Sequence, residues 1–162
     1  MIPKRIRASH AAVRASRRLL HSWFLLSRGL TLGVRAAVID RENRVCLIRH
    51  TYTPGWQLPG GGVEIGEDAL EALGRELEEE AAVEITGTPL LHGVFFNGHV
   101  SRRDHVLVFL VRDFTSRGLK RPDREIAECR FFPLDALPPE TTRGTRDRLS
   151  EIAEGRTPAA IW

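Results

Sequence analysis

Cysteine is scarce in this sequence of 162 residues, which contains only Cys46 and Cys129. Each lies in an apolar stretch, "VCLIR" and "ECRFF", where a reduced, buried thiol behaves as a small hydrophobic residue. Two such cysteines are not the framework of a disulfide-bonded secreted domain, nor the ligand set of a structural metal site. The sequence therefore favours a reducing compartment, and we expect a cytoplasmic protein.

The N-terminal region lacks acidic residues, since residues 1–39 contain eight lysines and arginines and no aspartate or glutamate. Apolar residues at mixed three- and four-residue spacing predict an amphipathic helix over residues 9–27. No run approaches the roughly 20 apolar residues of a membrane span. We interpret residues 1–29 as a basic helical arm that docks on its own domain or on a second subunit, as in a homodimer. Contact with an anionic membrane surface is less favoured, followed by targeting or nucleic-acid contact, and we expect no sequence-specific nucleic-acid binding.

The rest of the chain alternates short strand-like runs with helical segments. Its length and a hydrophobic content of 42% suit one domain, which we place at residues 30–162. "LTLGVRAAVID" and "RVCLIRH" predict a hairpin, and "TTRGTRDRLSEIA" predicts a closing helix with a threonine cap. A second helix is expected from Glu67 to about Ala82. Further strands are expected in "GWQL", "HGVFFNG", "HVLVFLVRDF" and "AECRFFPL", so the pattern predicts an α/β sandwich with a mixed sheet.

Negative charge is concentrated in the helix after Gly60. Glu76, Glu79 and Glu80 are three and four residues apart, so a helix places them on one face, where like charges repel. A solvated glutamate-rich surface is one explanation of this cluster. The other is a hard divalent cation, because clustered carboxylates suit Mg²⁺ or Mn²⁺ better than zinc. Spacing alone leaves both explanations open.

The segment from Gly61 to Val83 resembles the signature of the Nudix hydrolase family, of the MutT-like type. Gly61, Glu67 and the run "RELEEEAAV" from Arg75 match its fixed positions, apart from Ala82, where the family usually has glycine. Glycine at that position eases a left-handed turn, which alanine adopts only at a cost. The resemblance implies a Nudix fold, an α/β/α sandwich with a mixed central sheet.

The same resemblance implies a role for each matching residue. Glu76, Glu79 and Glu80 are expected to hold Mg²⁺, or Mn²⁺, with the backbone carbonyl of Gly60 or Gly61 as an added ligand. Glu67 and Arg75 are expected to form an ion pair that fixes the junction between loop and helix, with Gly61 as further support. The implied reaction is attack of metal-activated water on a phosphorus of a diphosphate linkage.

Several residues outside the motif are candidates for the same site. Family members often take an additional acid from a later loop, and we favour Glu125 over Glu128 as ligand or base. Arg102 and Arg103 are candidates for contact with substrate phosphate, although an exposed hairpin tip has the same composition. Trp56 is a candidate for stacking on a base, although a core tryptophan is the favoured interpretation. His50, His92, His99 and His105 show no ligand spacing, and we expect structural or surface positions for them.

Two functions fit these observations. The first is metal-dependent hydrolysis of a nucleoside diphosphate linked to another moiety, which the intact set of motif glutamates favours. The alternative is a non-catalytic Nudix-fold module that binds a nucleotide or a protein. Pro89 follows the motif too soon to match the proline associated with ADP-ribose hydrolases, so nucleoside triphosphates and nucleotide sugars both remain open.

Overall fold

The computed structural model describes Trp23 and residues 29–162. The predicted N-terminal helix, and the roles expected for the arm, lie outside these described residues apart from Trp23. The elements of the described part belong to one compact unit, Thr31–Trp162. They are β1 (Thr31–Val38), β2 (Arg44–His50), α1 (Ala69–Ala81), β3 (Val83–Ile85), β4 (Leu90–Phe96), β5 (Asp104–Val111), β6 (Phe114–Ser116), β7 (Ile126–Pro133) and α2 (Arg143–Glu154). Neither of these two helices has the length and apolarity to cross a membrane.

The central sheet is mixed, as expected. Strand β5 lies between β1 and β4, and it pairs with β1 in parallel and with β4 antiparallel. Two further antiparallel pairs complete the structure, β2 with β7 and β3 with β6. The β2–β7 ladder has an irregularity between Arg49 and His50, and this irregularity lies at the end of β2 that forms part of the functional site.

Two hydrophobic cores lie on opposite faces of β1. Val34, Ala36 and Val38 belong to a core that contains the apolar side of α1. Ala37 and Ile39 belong to the other core, which contains Leu149 of α2. Because side chains alternate between the faces of a strand, one buried strand supports a helix on each side. The structure thus has the predicted α/β/α layers.

The predicted hairpin between β1 and β2 is wrong. The two strands join only through the bridge between Ile39 and Val45, beside a turn at Asn43. One edge of β1 pairs with β5, and the other edge meets residues 59–63, where Val34 donates to the Gly61 carbonyl at 2.8 Å. Since both edges of β1 are occupied, β2 pairs with β7 instead.

The remaining predicted elements are largely confirmed. The antiparallel pair β4–β5, strand β7 and both helices lie where the pattern placed them. "GWQL" forms only isolated bridges, such as that between Ile48 and Gln57. Thr142 precedes α2, but its hydroxyl donates to the Thr145 hydroxyl and does not cap the helix. Strands β3 and β6 were not predicted, because each has only three residues.

Candidate active site

Gly60 and Gly61, in the loop before α1, are fixed by contacts that leave no room for side chains. Gly60 has a φ of 137°, in the region that favours glycine, and a Cβ there would overlap the Val34 carbonyl oxygen. A Cβ on Gly61 would overlap the carboxylate of Glu76. The two glycines therefore bring the loop backbone against β1 on one side and against the carboxylates of α1 on the other.

Helix α1 is held at both ends. Asp68 caps its N-terminus by accepting hydrogen bonds from Leu70 and Glu71, and Glu71 accepts from the Asp68 backbone N–H at 2.8 Å. This reciprocal capping box satisfies backbone N–H groups that the first helical turn leaves unpaired. The helix ends at Ala82 in the left-handed conformation, with a φ of 53°. Alanine thus adopts the turn for which the family motif has glycine.

Arg75 joins the loop to the helix. Its guanidinium donates to Glu67 at 2.8 Å, to Glu76 at 2.8 Å and to the Gly62 carbonyl at 3.1 Å. Glu67 also accepts from the backbone N–H of Glu64. The hydrogen bond from Arg75 is the main cause of a lowered pKa for Glu67. The expected ion pair is present, and it orients Glu76 as well.

Glu80 is the carboxylate of α1 that the fold buries. It is 5% exposed and accepts one backbone hydrogen bond, from Gly60 at 2.6 Å. The pKa of Glu80 is raised to about 7, mainly by burial and also by the negative charges of Glu76 and Glu125, against the opposing effects of Gly60 and Arg35. The described residues therefore balance the charge of this carboxylate incompletely.

Glu80 belongs to a cluster with His50 and Glu125. Within the described residues, one potential ligand atom from each of these three side chains lies within 4.8 Å of the other two. His50 Nε2 is 3.6 Å from Glu80, and His50 Nδ1 is buried with no hydrogen-bond partner among the described residues. Burial, followed by the charge of Arg35, lowers the pKa of His50. A neutral imidazole and two carboxylates thus meet at one point.

The loop before β7 places Glu125 in this cluster. Asp123 accepts hydrogen bonds from the backbone N–H groups of Glu125 and Ile126, at 2.9 and 2.8 Å. The carbonyl of Glu125 accepts from Thr51 at 2.9 Å, and Tyr52 donates its hydroxyl to the Glu125 carboxylate at 3.1 Å. Although Glu125 is exposed, both its backbone and its side chain are therefore oriented.

Comparison with known proteins identifies the family of this arrangement. The model of the NUDIX domain matches residues 29–151, which is most of the chain. The chain belongs to the Nudix family.

Individual Nudix proteins resemble this chain over much of its length. The ADP-ribose pyrophosphatase of Methanocaldococcus jannaschii is 34% identical over 105 residues, which cover 62% of this chain and 61% of that protein. The putative ADP-ribose pyrophosphatase YjhB of Bacillus subtilis is 32% identical over 122 residues, which cover 74% of this chain and 58% of that protein. The chain thus spans about three fifths of the length of these relatives.

A solved structure supports the same assignment. The MutT NUDIX hydrolase from Burkholderia pseudomallei superposes with a TM-score of 0.64 and is 29% identical. The match covers 75% of this chain and 97% of that structure. The Nudix fold of the described residues therefore has a direct counterpart among solved proteins.

The other residues predicted to hold the metal do not belong to the cluster of His50, Glu80 and Glu125. Glu76 lies beside Gly61, whereas the Glu79 side chain is 63% exposed and 3.6 Å from Arg75. Their role as ligands stays a prediction, as does that of the Gly60 carbonyl. Glu128 is held on β7 by ion pairs with Arg49 and Arg130, which favours Glu125 as the additional acid.

The predicted substrate-binding residues have contrasting positions. Trp56 is 5% exposed and packs edge-to-face on Phe132, so the structure favours the core interpretation over stacking on a base. Arg102 and Arg103 are exposed in the turn between β4 and β5. Their contact with substrate phosphate stays a prediction.

The sequence did not identify His50 or Arg35 as site residues. His50 was expected to be structural because it lacks ligand spacing, yet it lies 3.6 Å from Glu80, thirty residues further along the chain. Arg35 lies on β1, and its charge acts on both Glu80 and His50. A charged residue in a strand whose neighbours are apolar, "GVRAAV", was the available signal.

Two hollows are lined either by a residue of the cluster or by Arg35, whose charge acts on the cluster. An open groove of about 710 Å³ is lined by His50 and Tyr52 together with neighbours on the loop after β2. A smaller cavity of about 260 Å³ is lined by Arg35, and its other walls include Asn97, His99 and Trp162. The groove therefore reaches the cluster through His50, whereas the smaller cavity adjoins Arg35.

Proposed function

We propose that this Nudix protein hydrolyses the diphosphate linkage of a nucleoside diphosphate joined to another moiety. The observation that carries the proposal is the meeting of Glu80, Glu125 and His50 where the glycine loop contacts the last turn of α1. Relatives named as ADP-ribose pyrophosphatases support the same class of reaction. Nucleotide sugars and nucleoside triphosphates, the two substrate classes left open by the sequence, both contain a diphosphate linkage.

The residues present fit a divalent cation. The Glu80 pKa of about 7 reflects a buried negative charge that lacks a full set of partners, and a nearby cation would compensate that charge. We propose that Glu80 and Glu125 hold Mg²⁺, with Mn²⁺ as a substitute, joined by Glu76 and Glu79 as the family resemblance implies. When bound, such an ion would lower the pKa of a water molecule and offset charge on the phosphoryl oxygens.

The chain's own residues then orient the reacting groups. The backbone N–H of Gly60 holds one oxygen of Glu80, while the Arg75 network holds Glu76 against the glycine loop. Arg35 donates to the Leu58 carbonyl at 3.0 Å and also lines the smaller cavity. We propose that this cavity receives the nucleoside, with the guanidinium of Arg35 facing the adjoining phosphate.

A panel of substrates tests the proposal. Purified protein is assayed for release of nucleoside monophosphate or pyrophosphate from nucleotide sugars and nucleoside triphosphates, with Mg²⁺, with Mn²⁺ and with chelator. We expect cation-dependent hydrolysis of at least one class. Nucleotide binding without turnover of any substrate, under every cation condition, would instead support the non-catalytic module.

A further inference from the structure

Tyr52 is the only tyrosine of the chain, and it lies at the edge of the acidic cluster. Its hydroxyl donates to Glu125 at 3.1 Å, and its ring centroid is 5.0 Å from that of His50. The residue nevertheless remains 68% exposed. Glu125 thus holds the tyrosine by its hydroxyl and His50 lies beside the ring, while much of the surface of Tyr52 stays open to solvent.

The groove that Tyr52 borders combines an aromatic surface with polar groups. Thr51, Thr53, Glu140 and Arg49 line it as well, so hydroxyls, a carboxylate and a guanidinium belong to the same groove as the ring. A sugar matches both the aromatic surface and the polar groups of the groove. Its C–H face packs on an aromatic ring, and its hydroxyls exchange hydrogen bonds with polar side chains. A base stacked on the ring offers donors and acceptors only along its edge, whereas a sugar offers hydroxyls at most of its ring carbons.

We propose that this groove binds the sugar of a nucleoside diphosphate sugar, with Tyr52 packed against the sugar ring. The inference rests on the proposed function and names the substrate class for the same site. His50 belongs to both the cluster and the groove lining. When a diphosphate lies at the cluster, the sugar joined to the nucleoside diphosphate therefore enters the groove. A nucleoside triphosphate has no sugar beyond its terminal phosphate and leaves the groove empty.

Two substitutions separate the ring of Tyr52 from its hydroxyl. Tyr52→Phe keeps the ring and removes the hydrogen bond to Glu125, whereas Tyr52→Ala removes both. Leu90→Ala is the matched control, because Leu90 is an exposed residue at the start of β4 outside both linings. For each protein, kcat/KM is measured with ADP-ribose, UDP-glucose and a nucleoside triphosphate.

The ratio of kcat/KM for the nucleotide sugars to that for the triphosphate is the decisive readout, since any effect on Glu125 acts on both substrate classes and cancels. We expect wild type to prefer a nucleotide sugar and the ratio to fall about tenfold in Tyr52→Ala. The ratio should stay within about twofold of wild type in Tyr52→Phe and Leu90→Ala.

Other outcomes separate this inference from the proposed function. A wild-type preference for the triphosphate, or an unchanged ratio in Tyr52→Ala, would overturn the assignment of the groove and leave the hydrolase function intact. If wild type hydrolysed nothing, the proposed function would fail, and calorimetry with ADP-ribose would test the groove alone. An equal dissociation constant for wild type and Tyr52→Ala would then overturn the assignment.

Discussion

Helices α1 and α2 each bury one glutamate, and the pKa values of the two carboxylates are shifted in opposite directions. Glu80 of α1 is 5% exposed and Glu151 of α2 is 4% exposed. Burial raises the pKa of Glu80 to about 7. Burial also acts to raise the pKa of Glu151, but hydrogen bonds from His92 and Ala159 and the charge of Arg148 outweigh it, so that pKa is lowered.

The difference lies in the partners of the two side chains. Glu151 contacts Arg148 at 2.7 Å and His92 at 3.1 Å, and it accepts the backbone N–H of Ala159 at 3.1 Å. Glu80 accepts one backbone N–H and has a His50 with a lowered pKa as its neighbour. Burial alone therefore does not identify a functional carboxylate. An incomplete set of partners is the property that distinguishes Glu80, and we propose that it leaves the charge available to an added cation.

The largest expected effect is on catalysis. Glu80→Gln removes the charge that we propose holds the cation, so kcat/KM should fall about a thousandfold while the far-ultraviolet circular dichroism stays that of wild type. Glu78→Gln, at an exposed position of the same helix, is the control and should change kcat/KM less than about twofold. Full activity of Glu80→Gln would show that the metal site lies elsewhere.

The corresponding change in α2 should affect stability and leave catalysis intact. Glu151→Gln leaves Arg148, which is 3% exposed, without its charged partner. We expect denaturant titration to show a loss of about 2–4 kcal/mol in unfolding free energy. The folded fraction should keep the kcat of wild type, and a large loss of kcat would contradict the division of roles between the two glutamates.

The choice between two loop carboxylates gives a smaller expected effect. Glu125→Gln should lower kcat about tenfold to a hundredfold and change KM less, because the interaction matters most in the transition state. Glu128→Gln loses only ion pairs with Arg49 and Arg130, so kcat should stay near that of wild type. The reverse result in steady-state kinetics would transfer the role to Glu128.

The smallest expected effect concerns the ends of the two helices. Both end in the left-handed conformation, at Ala82 with a φ of 53° and at Gly155 with a φ of 62°. Ala82→Gly should therefore raise the unfolding free energy by about 1 kcal/mol, and Gly155→Ala should lower it by a similar amount. Equal stability of wild type and Ala82→Gly in denaturant titration would show that this end of α1 is unstrained.

Sequence reasoning succeeded where the information was local. The helical spacing of apolar residues placed α1, and the motif placed Glu67 beside Arg75, because these contacts lie within about two helical turns. It failed where distant segments meet. The edges of β1 are occupied by residues 59–63 and by β5, and no pattern within β1 and β2 indicates this.

The same limit applies to the site. The motif identified Glu80 as a candidate ligand and assigned no role to Glu151, but the helical patterns did not indicate which partners each carboxylate would have, because Gly60, His50 and His92 come from other elements. His50 reaches Glu80 only because β2 ends beside α1. The choice of Glu125 over Glu128 was made from a loop position just before a strand. The structure adds the contacts with Tyr52 and Thr51 that orient Glu125.

The central claim is that Glu80 is buried with too few partners for its charge. The most direct test compares wild type with Glu80→Gln in thermal and denaturant unfolding, with and without Mg²⁺. Between about pH 4.5 and 7, native Glu80 keeps a proton that the unfolded chain releases, so the raised pKa makes metal-free wild type lose stability as pH rises. The stability of Glu80→Gln relative to wild type should therefore rise across this range, by about 3 kcal/mol. At pH 8, Mg²⁺ should stabilise wild type and not the variant. A pH-independent difference, with equal stabilisation of both proteins by Mg²⁺, would contradict the account.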